Sequence, residues 1–268
     1  MQGKDSMRIG VIGGSGFDEF PEIREIARRE IGTRFGPATA FEGAYAGKTV
    51  LYVSRHGKGH QTLSHQVNHR ANLLALKELG ADAIVATTVT GVARADLRLG
   101  VPIVFDDLYF PENRLPDGNA CTIFDRAGEK GRGHLIAASP FSASLRAATL
   151  EAIADLGIDA IDGGAYAHVN GPRFNTKAEI AALRLAGVAA LSQTAGPEAV
   201  LAGELEIPYQ LIGFGVDYAN GVQPEPTSVE ALNDNMAKGS ADFRRIILRL
   251  IERLDSAEFD SAFVYRFD

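Results

Sequence analysis

The chain runs to 268 residues with 46% apolar and 23% charged side chains, enough to bury a sizeable core and too apolar to be mainly disordered. It carries 27 Lys and Arg against 34 Asp and Glu, a net charge of −7 with a pI near 5.4. That balance argues against nucleic acid or a membrane surface held by bulk positive charge, and leaves room for a small basic pocket. Glycine is in excess, 29 residues, about 11% of the chain where ~7% is usual, which points to tight turns and close backbone approaches.

Residues 1–6 are polar and precede Met7, so we expect an extension at 1–6 and a single domain over 7–268. Short apolar runs rich in β-branched residues at 8–12, 49–54, 83–87, 102–105, 164–169, 189–193 and 209–214 each read as a buried strand. Helical spacing predicts helices at 68–79, stopped by Gly80, at 142–156, stopped by Gly157, and at 176–186, stopped by Gly187. Two more are expected at 197–205 and at 229–254, the latter with Ser228 as N-cap and Glu230 in its first turn. Residues 111–133 are polar and read as an excursion over the surface. Strands alternating with helices predict an α/β fold, a central mixed sheet flanked by helices. No signal-type apolar run and no membrane-spanning stretch occurs, and the single Cys121 fits a reducing, cytoplasmic setting.

Gly13-Gly14-Ser15-Gly16 follows the first strand directly. Its spacing matches neither the dinucleotide fingerprint nor a Walker loop, so it reads either as a plain tight turn or as an anion cradle with the Ser15 hydroxyl as an added donor. Arg55-His56-Gly57 follows the second strand, Thr87-Thr88 ends the third and Thr194 lies at the end of the sixth. Ligands of open α/β sheets gather beyond the carboxyl ends of strands. A planar guanidinium with hydroxyls and amides suits a phosphate. His56, His60, His65 and His69 invite a metal reading, with His65 and His69 spaced for one helix face, but no H-E-x-x-H pattern accompanies them and hydrogen-bonding histidines are expected instead.

Ile12-Gly13-Gly14-Ser15-Gly16-Phe17, Arg55-His56-Gly57, Asn68-His69-Arg70-Ala71-Asn72, Gly171-Pro172-Arg173-Phe174, Pro197-Glu198-Ala199-Val200-Leu201-Ala202 and Val216-Asp217-Tyr218 occur in a fixed order over about residues 9–251. In this they resemble the 5′-methylthioadenosine phosphorylase branch of the trimeric purine nucleoside phosphorylases. The resemblance implies a pentosyltransferase in which phosphate, a co-substrate rather than a cofactor, attacks the anomeric carbon of a purine nucleoside to give base and pentose 1-phosphate. It implies that Ser15, Arg55, His56, Thr88 and Thr194 hold phosphate, that Asp217 faces purine N7, that Phe174 packs on base or ribose, and that His134 closes the 5′ pocket of a neighbouring subunit in a homotrimer. From the residues alone Asp217 reads as a turn residue before Asn220-Gly221.

The chain departs from that pattern at several places. Gln193 stands where the family usually has Met against the ribose. Thr88-Val89-Thr90-Gly91-Val92 replaces Thr-Ala-Cys-Gly-Ser. Ala219 stands where many adenine-specific members have a second Asp, Asn175 where Ser or Glu reads the base edge, and Phe110-Pro111-Glu112-Asn113 replaces an aromatic or Arg-Thr pattern. The expected substrate is 5′-methylthioadenosine or a close purine nucleoside. The alternatives are a 6-oxopurine nucleoside or another 5′-deoxynucleoside, then a nucleoside hydrolase or a noncatalytic nucleoside-binding protein. No metal, nucleic-acid or membrane partner is expected.

Overall fold

The computed structural model describes residues 6–14, 20–57, 59–254 and 259–267. Chain order begins with β1 (Arg8–Gly13), β2 (Arg24–Thr33), β3 (Gly36–Tyr45), β4 (Lys48–Ser54), α1 (His69–Glu78), β5 (Ala83–Val92), β6 (Pro102–Val104), β7 (Asp107–Tyr109) and β8 (Gly133–Ile136). It continues with α2 (Ala143–Asp155), β9 (Ile161–Asp162), β10 (Ala165–His168), α3 (Lys177–Leu185), β11 (Val188–Ser192), α4 (Ala195–Glu204), β12 (Tyr209–Tyr218), α5 (Val229–Arg253) and β13 (Phe263–Arg266).

Eleven strands form one mixed sheet, as expected, in the order β2-β3-β4-β1-β5-β11-β10-β7, with β12 pairing β5 and β6, and β6 pairing β9. β1 runs parallel to both β4 and β5 and is buried on both faces. Ile9 and Val11 point to a core shared with α2 and α5, through Leu145, Ile153, Phe243 and Ile247. Ile12 points the other way, to a core shared with α1 and α4, through Leu73, Leu76, Ala199 and Leu201. A strand buried on both faces has to be a continuous apolar run, which is why β1, β4 and β6 were legible.

The five helices form where their patterns predict, with Asn68, Ser142, Thr176 and Ser228 each accepting a backbone N–H at the N-terminus. Three expectations are corrected. β2 and β3 form a long antiparallel hairpin where no strand was expected; β2 is the sheet edge, and its Arg28, Arg29 and Glu30 face water, so it lacks the apolar signature. β5 and β12 run on past their apolar runs, to Val92 and Tyr218, which puts Thr88, Gly91 and Asp217 inside strands and not at strand ends or in a turn. The polar segment 111–133 does cross the surface, but it also sends Leu115, Cys121 and Ile123 into the core. There the Glu204 carboxylate accepts the Ile123 N–H at 2.7 Å and the Thr122 hydroxyl at 2.8 Å.

Candidate active site

β1 and β4 end at Gly13 and Ser54, while β5 continues beyond them beside β12. That step in the sheet gathers the expected anion-binding groups. The Arg55 N–H donates to the Gly13 carbonyl at 3.0 Å, which fixes the start of the Arg-His turn against the glycine turn. At Gly14 the backbone approaches so closely that a Cβ would lie 2.7 Å from Arg55 Nη1 and 2.8 Å from the Thr87 carbonyl. Ser15 lies outside the described residues.

Thr88 Oγ1 is 2.9 Å from Ser192 Oγ, which is 2.6 Å from the Tyr166 hydroxyl, and that hydroxyl accepts the Ala195 N–H at 3.2 Å. Thr194 directly precedes Ala195. It is buried, stands at the N-terminus of α4, and its side chain caps none of that helix's N–H groups. Arg55, Thr88 and Thr194 therefore converge, at the positive end of a helix dipole. His56 is buried beside Arg55. Its Nδ1 donates to the Thr62 carbonyl at 2.8 Å, and burial together with the Arg55 charge pushes its pKa down to about 4. The ring stacks on His60 at 4.2 Å.

Glu198, inside the motif at 197–202, carries no expected role in the sequence; in the fold it is the hub of the site. Arg55 and Glu198, with side chains 0% and 1% exposed, form a bidentate pair, Nε to Oε1 at 2.5 Å and Nη2 to Oε2 at 2.7 Å. Tyr209 donates its hydroxyl to Oε2 at 3.1 Å, and His69 Nδ1 lies 3.7 Å from Oε1. Burial would raise the Glu198 carboxyl, but Arg55 outweighs it and holds the pKa down at about 2. Its signal was available: a carboxylate in the otherwise small and apolar helix 195–203 has to be paired if that helix is buried. His65 sits in a separate short turn, Ser64–Gln66, while His69 opens α1, so the two do not share a helix face. Among the described residues no group of three or more His, Cys, Asp or Glu side chains is placed to hold a metal ion.

The nucleoside-side residues lie farther along the same strands. A bulge between Gly215 and Asp217 sets Asp217 opposite Gly91, three residues and roughly 10 Å beyond Thr88. Burial pushes the Asp217 pKa up to about 6 against the pull of its own backbone N–H. Ala219 adds no carboxylate, and its N–H donates to the Val92 carbonyl at 2.9 Å. Asn220 donates to the Asn175 carbonyl at 2.7 Å, and Asn175 Oδ1 is buried without a hydrogen-bond partner. Gln193 does not present a free amide: Oε1 accepts from Ser64 Oγ at 2.9 Å and Nε2 donates to the Arg173 carbonyl at 3.2 Å. The side chain thereby ties the loop at 171–173 to the turn at Ser64–Gln66.

Phe174 is 78% exposed. His134 lies in β8 opposite Tyr265 of β13, with its ring edge-on to Phe267 at 5.0 Å. No helix among the described residues is long and apolar enough to cross a membrane.

Three comparisons bear on this arrangement. The sequence profile of the phosphorylase superfamily matches residues 8–252. The chain is 33% identical to the 6-oxopurine nucleoside phosphorylase of Pyrococcus furiosus over 91% of its length and 92% of that protein's. It is also 33% identical to the S-methyl-5′-thioadenosine phosphorylase of Geobacter sulfurreducens, over 92% and 85%. The fold superposes on the methylthioadenosine phosphorylase from Schistosoma mansoni in complex with adenine with a TM-score of 0.83 and 28% identity, over 92% of this chain and 91% of that one.

Proposed function

The chain belongs to the phosphorylase superfamily, as a purine nucleoside phosphorylase of its 5′-methylthioadenosine phosphorylase branch, and from that membership we propose how its own residues carry the reaction. Phosphate is the co-substrate and no cofactor takes part. It lies against Arg55, His56, Thr88 and Thr194, with the Gly14 backbone and Ser15 completing the cradle. One phosphate oxygen attacks C1′ of the pentose as the C1′–N9 bond breaks. The bonding pair leaves with the purine, and Asp217 hands its proton to N7; the products are the free base and a pentose 1-phosphate. Positive charge building on the pentose is met by the phosphate dianion, and negative charge on the base by the acid.

The observation that carries this reading is a buried carboxyl raised to about 6, where it can take up and give a proton close to neutral pH, on β12, whose partner β5 gives its Thr87 carbonyl to the buried Arg55 guanidinium. A hydrolase would have no use for that guanidinium, and a passive binding protein none for a carboxyl raised to where it can exchange a proton near neutral pH.

The proposed nucleoside is 5′-methylthioadenosine or a close 6-aminopurine relative, because the acid at Asp217 is retained. A second reading, a 6-oxopurine nucleoside, is favoured by the missing carboxylate at Ala219 and by the unpartnered Asn175 Oδ1, an acceptor that suits a ring N1–H. Asn175, Ala219 and Phe174 would face the base, and Gln193 would act on the ribose pocket through the loop it braces. The ratio of kcat/KM for methylthioadenosine, adenosine, inosine and guanosine separates the two; a clear preference for inosine or guanosine replaces the first reading by the second.

A homotrimer in the cytoplasm is the proposed working form. Phe263 and Tyr265 of β13 and Phe267 just beyond it are each more than half exposed, beside Ile136 and His134 of β8. A second copy covering that aromatic stripe would take His134 to its neighbour's 5′ pocket. Sedimentation of a fully active monomer would contradict this.

A further inference from the structure

Resting on the reading of Arg55 as a phosphate ligand, we infer that Glu198, held in turn by Tyr209, is the positioning residue that sets the Arg55 guanidinium for phosphate. A guanidinium carries five N–H groups. Nε–H and one Nη2–H are taken by the two Glu198 oxygens, and one Nη1–H goes to the Thr87 carbonyl at 2.9 Å. Among the described residues these are its acceptors, so one N–H remains on each terminal nitrogen. A fork with its near edge pinned in this way offers two donors in a fixed plane, the arrangement two oxygens of one oxyanion accept.

The pair also sets the charge of the site. Glu198 neutralises Arg55 before any ligand arrives, and His56 is held uncharged by burial and by Arg55. Phosphate therefore enters a pocket without net charge from these groups and is held by aimed donors, the Thr88 and Thr194 hydroxyls and the α4 N-terminus among them. Such a pocket selects the shape of the oxyanion and releases a phosphorylated product more readily than one with a bare cation would. Glu198 itself is kept in place from two sides, by Arg55 and by the Tyr209 hydroxyl, while His69 lies beside it without a hydrogen bond.

The experiment compares steady-state KM for phosphate and for nucleoside in Tyr209→Phe, Glu198→Gln, Arg55→Ala and the Arg55→Ala/Glu198→Gln double variant. Tyr209→Phe keeps the ring and removes the donor to Oε2. The expected result is a phosphate KM raised about threefold in Tyr209→Phe and at least tenfold in Glu198→Gln, with nucleoside KM within about twofold. In the Arg55→Ala background Glu198→Gln is expected to add no further rise, because it acts only through Arg55. A purely structural carboxylate would lower melting temperature and active fraction while leaving phosphate KM unchanged, and that outcome overturns the inference. If Glu198→Gln fails to fold, Tyr209→Phe and the double variant decide: unchanged phosphate KM in the first, or a further rise in the second, overturns it. If Arg55→Ala itself leaves phosphate KM unchanged, it is the underlying phosphate reading that falls.

Discussion

Asp217 of β12 lies directly opposite Gly91 of β5, and a Cβ built at Gly91 would stand 3.5 Å from Asp217 Oδ1. The carboxyl therefore faces a strand that offers it neither a side-chain donor nor a countercharge. The bulge at Val216 produces this facing: with one extra residue in β12, Asp217 and not Val216 opposes Gly91. Burial with no partner beyond its own backbone N–H is what raises the acid toward neutrality.

Asp217→Asn tests that cost and that use together. The folded pKa of about 6 exceeds the ordinary 3.8, so the stabilising effect of the protonated acid is fully present below the unfolded value and is lost as pH rises through 6. At pH 7 the wild type thus pays on the order of 2–3 kcal/mol for this group. Asp217→Asn is expected to melt higher than wild type at pH 7.5 and to lose that advantage near pH 4, while kcat for an adenine nucleoside falls about a hundredfold or more, the low end for loss of an acid catalyst. Melting curves at the two pH values and initial rates check both halves.

Arg55→Ala leaves the Glu198 carboxylate buried with only Tyr209 donating to it. A loss of about 3–5 kcal/mol is expected at neutral pH. Removing the carboxylate as well, in Arg55→Ala/Glu198→Gln, should recover much of it, since the uncompensated charge is gone. Glu198 is depressed below its ordinary value, so the pair stabilises the wild type above about 4.5 and ceases to as pH falls toward 2. Urea titrations at pH 7 and pH 3 are expected to show the Arg55→Ala deficit shrinking with acid.

Gly14→Ala places a Cβ 2.7 Å from Arg55 Nη1 and 2.8 Å from the Thr87 carbonyl, and the second of these is backbone that cannot swing away. The turn has to open or the guanidinium has to shift. A loss of about 1–3 kcal/mol is expected, with a rise in phosphate KM; unchanged phosphate KM in a folded variant would show that this turn does not border the anion.

Gln193→Met restores the side chain usual in the family but breaks the bonds to Ser64 and to the Arg173 carbonyl. Two part-buried hydrogen bonds correspond to about 1–2 kcal/mol. The loop at 171–173 carries Phe174 and Asn175, so nucleoside KM is expected to rise severalfold while phosphate KM stays put. A lower nucleoside KM would mean that the glutamine has no bracing role.

The parts of the molecule legible in the sequence were those dictated by burial on both faces and by helix ends: β1, β4, β6 and all five helices. The β2–β3 hairpin escaped because an edge strand facing water needs no apolar run. Asp217 read as a turn because it stands just before Asn220-Gly221 and after the glycines Gly213 and Gly215; only pairing with β5 carries the strand through it. Thr88 and Thr194 were found as isolated hydroxyls, whereas the link between them runs through Ser192 and Tyr166, which no local pattern joins. The Arg55–Glu198 pair spans 143 positions of sequence, so only the fold could bring it together.

The most direct measurement of the central claim is release of free purine from methylthioadenosine, adenosine and inosine by the purified protein, in phosphate-free buffer and with added phosphate, with the sugar product identified. The expected result is base release that depends on phosphate and yields one pentose 1-phosphate per base. Equal release without phosphate, with free pentose as the product, would contradict it.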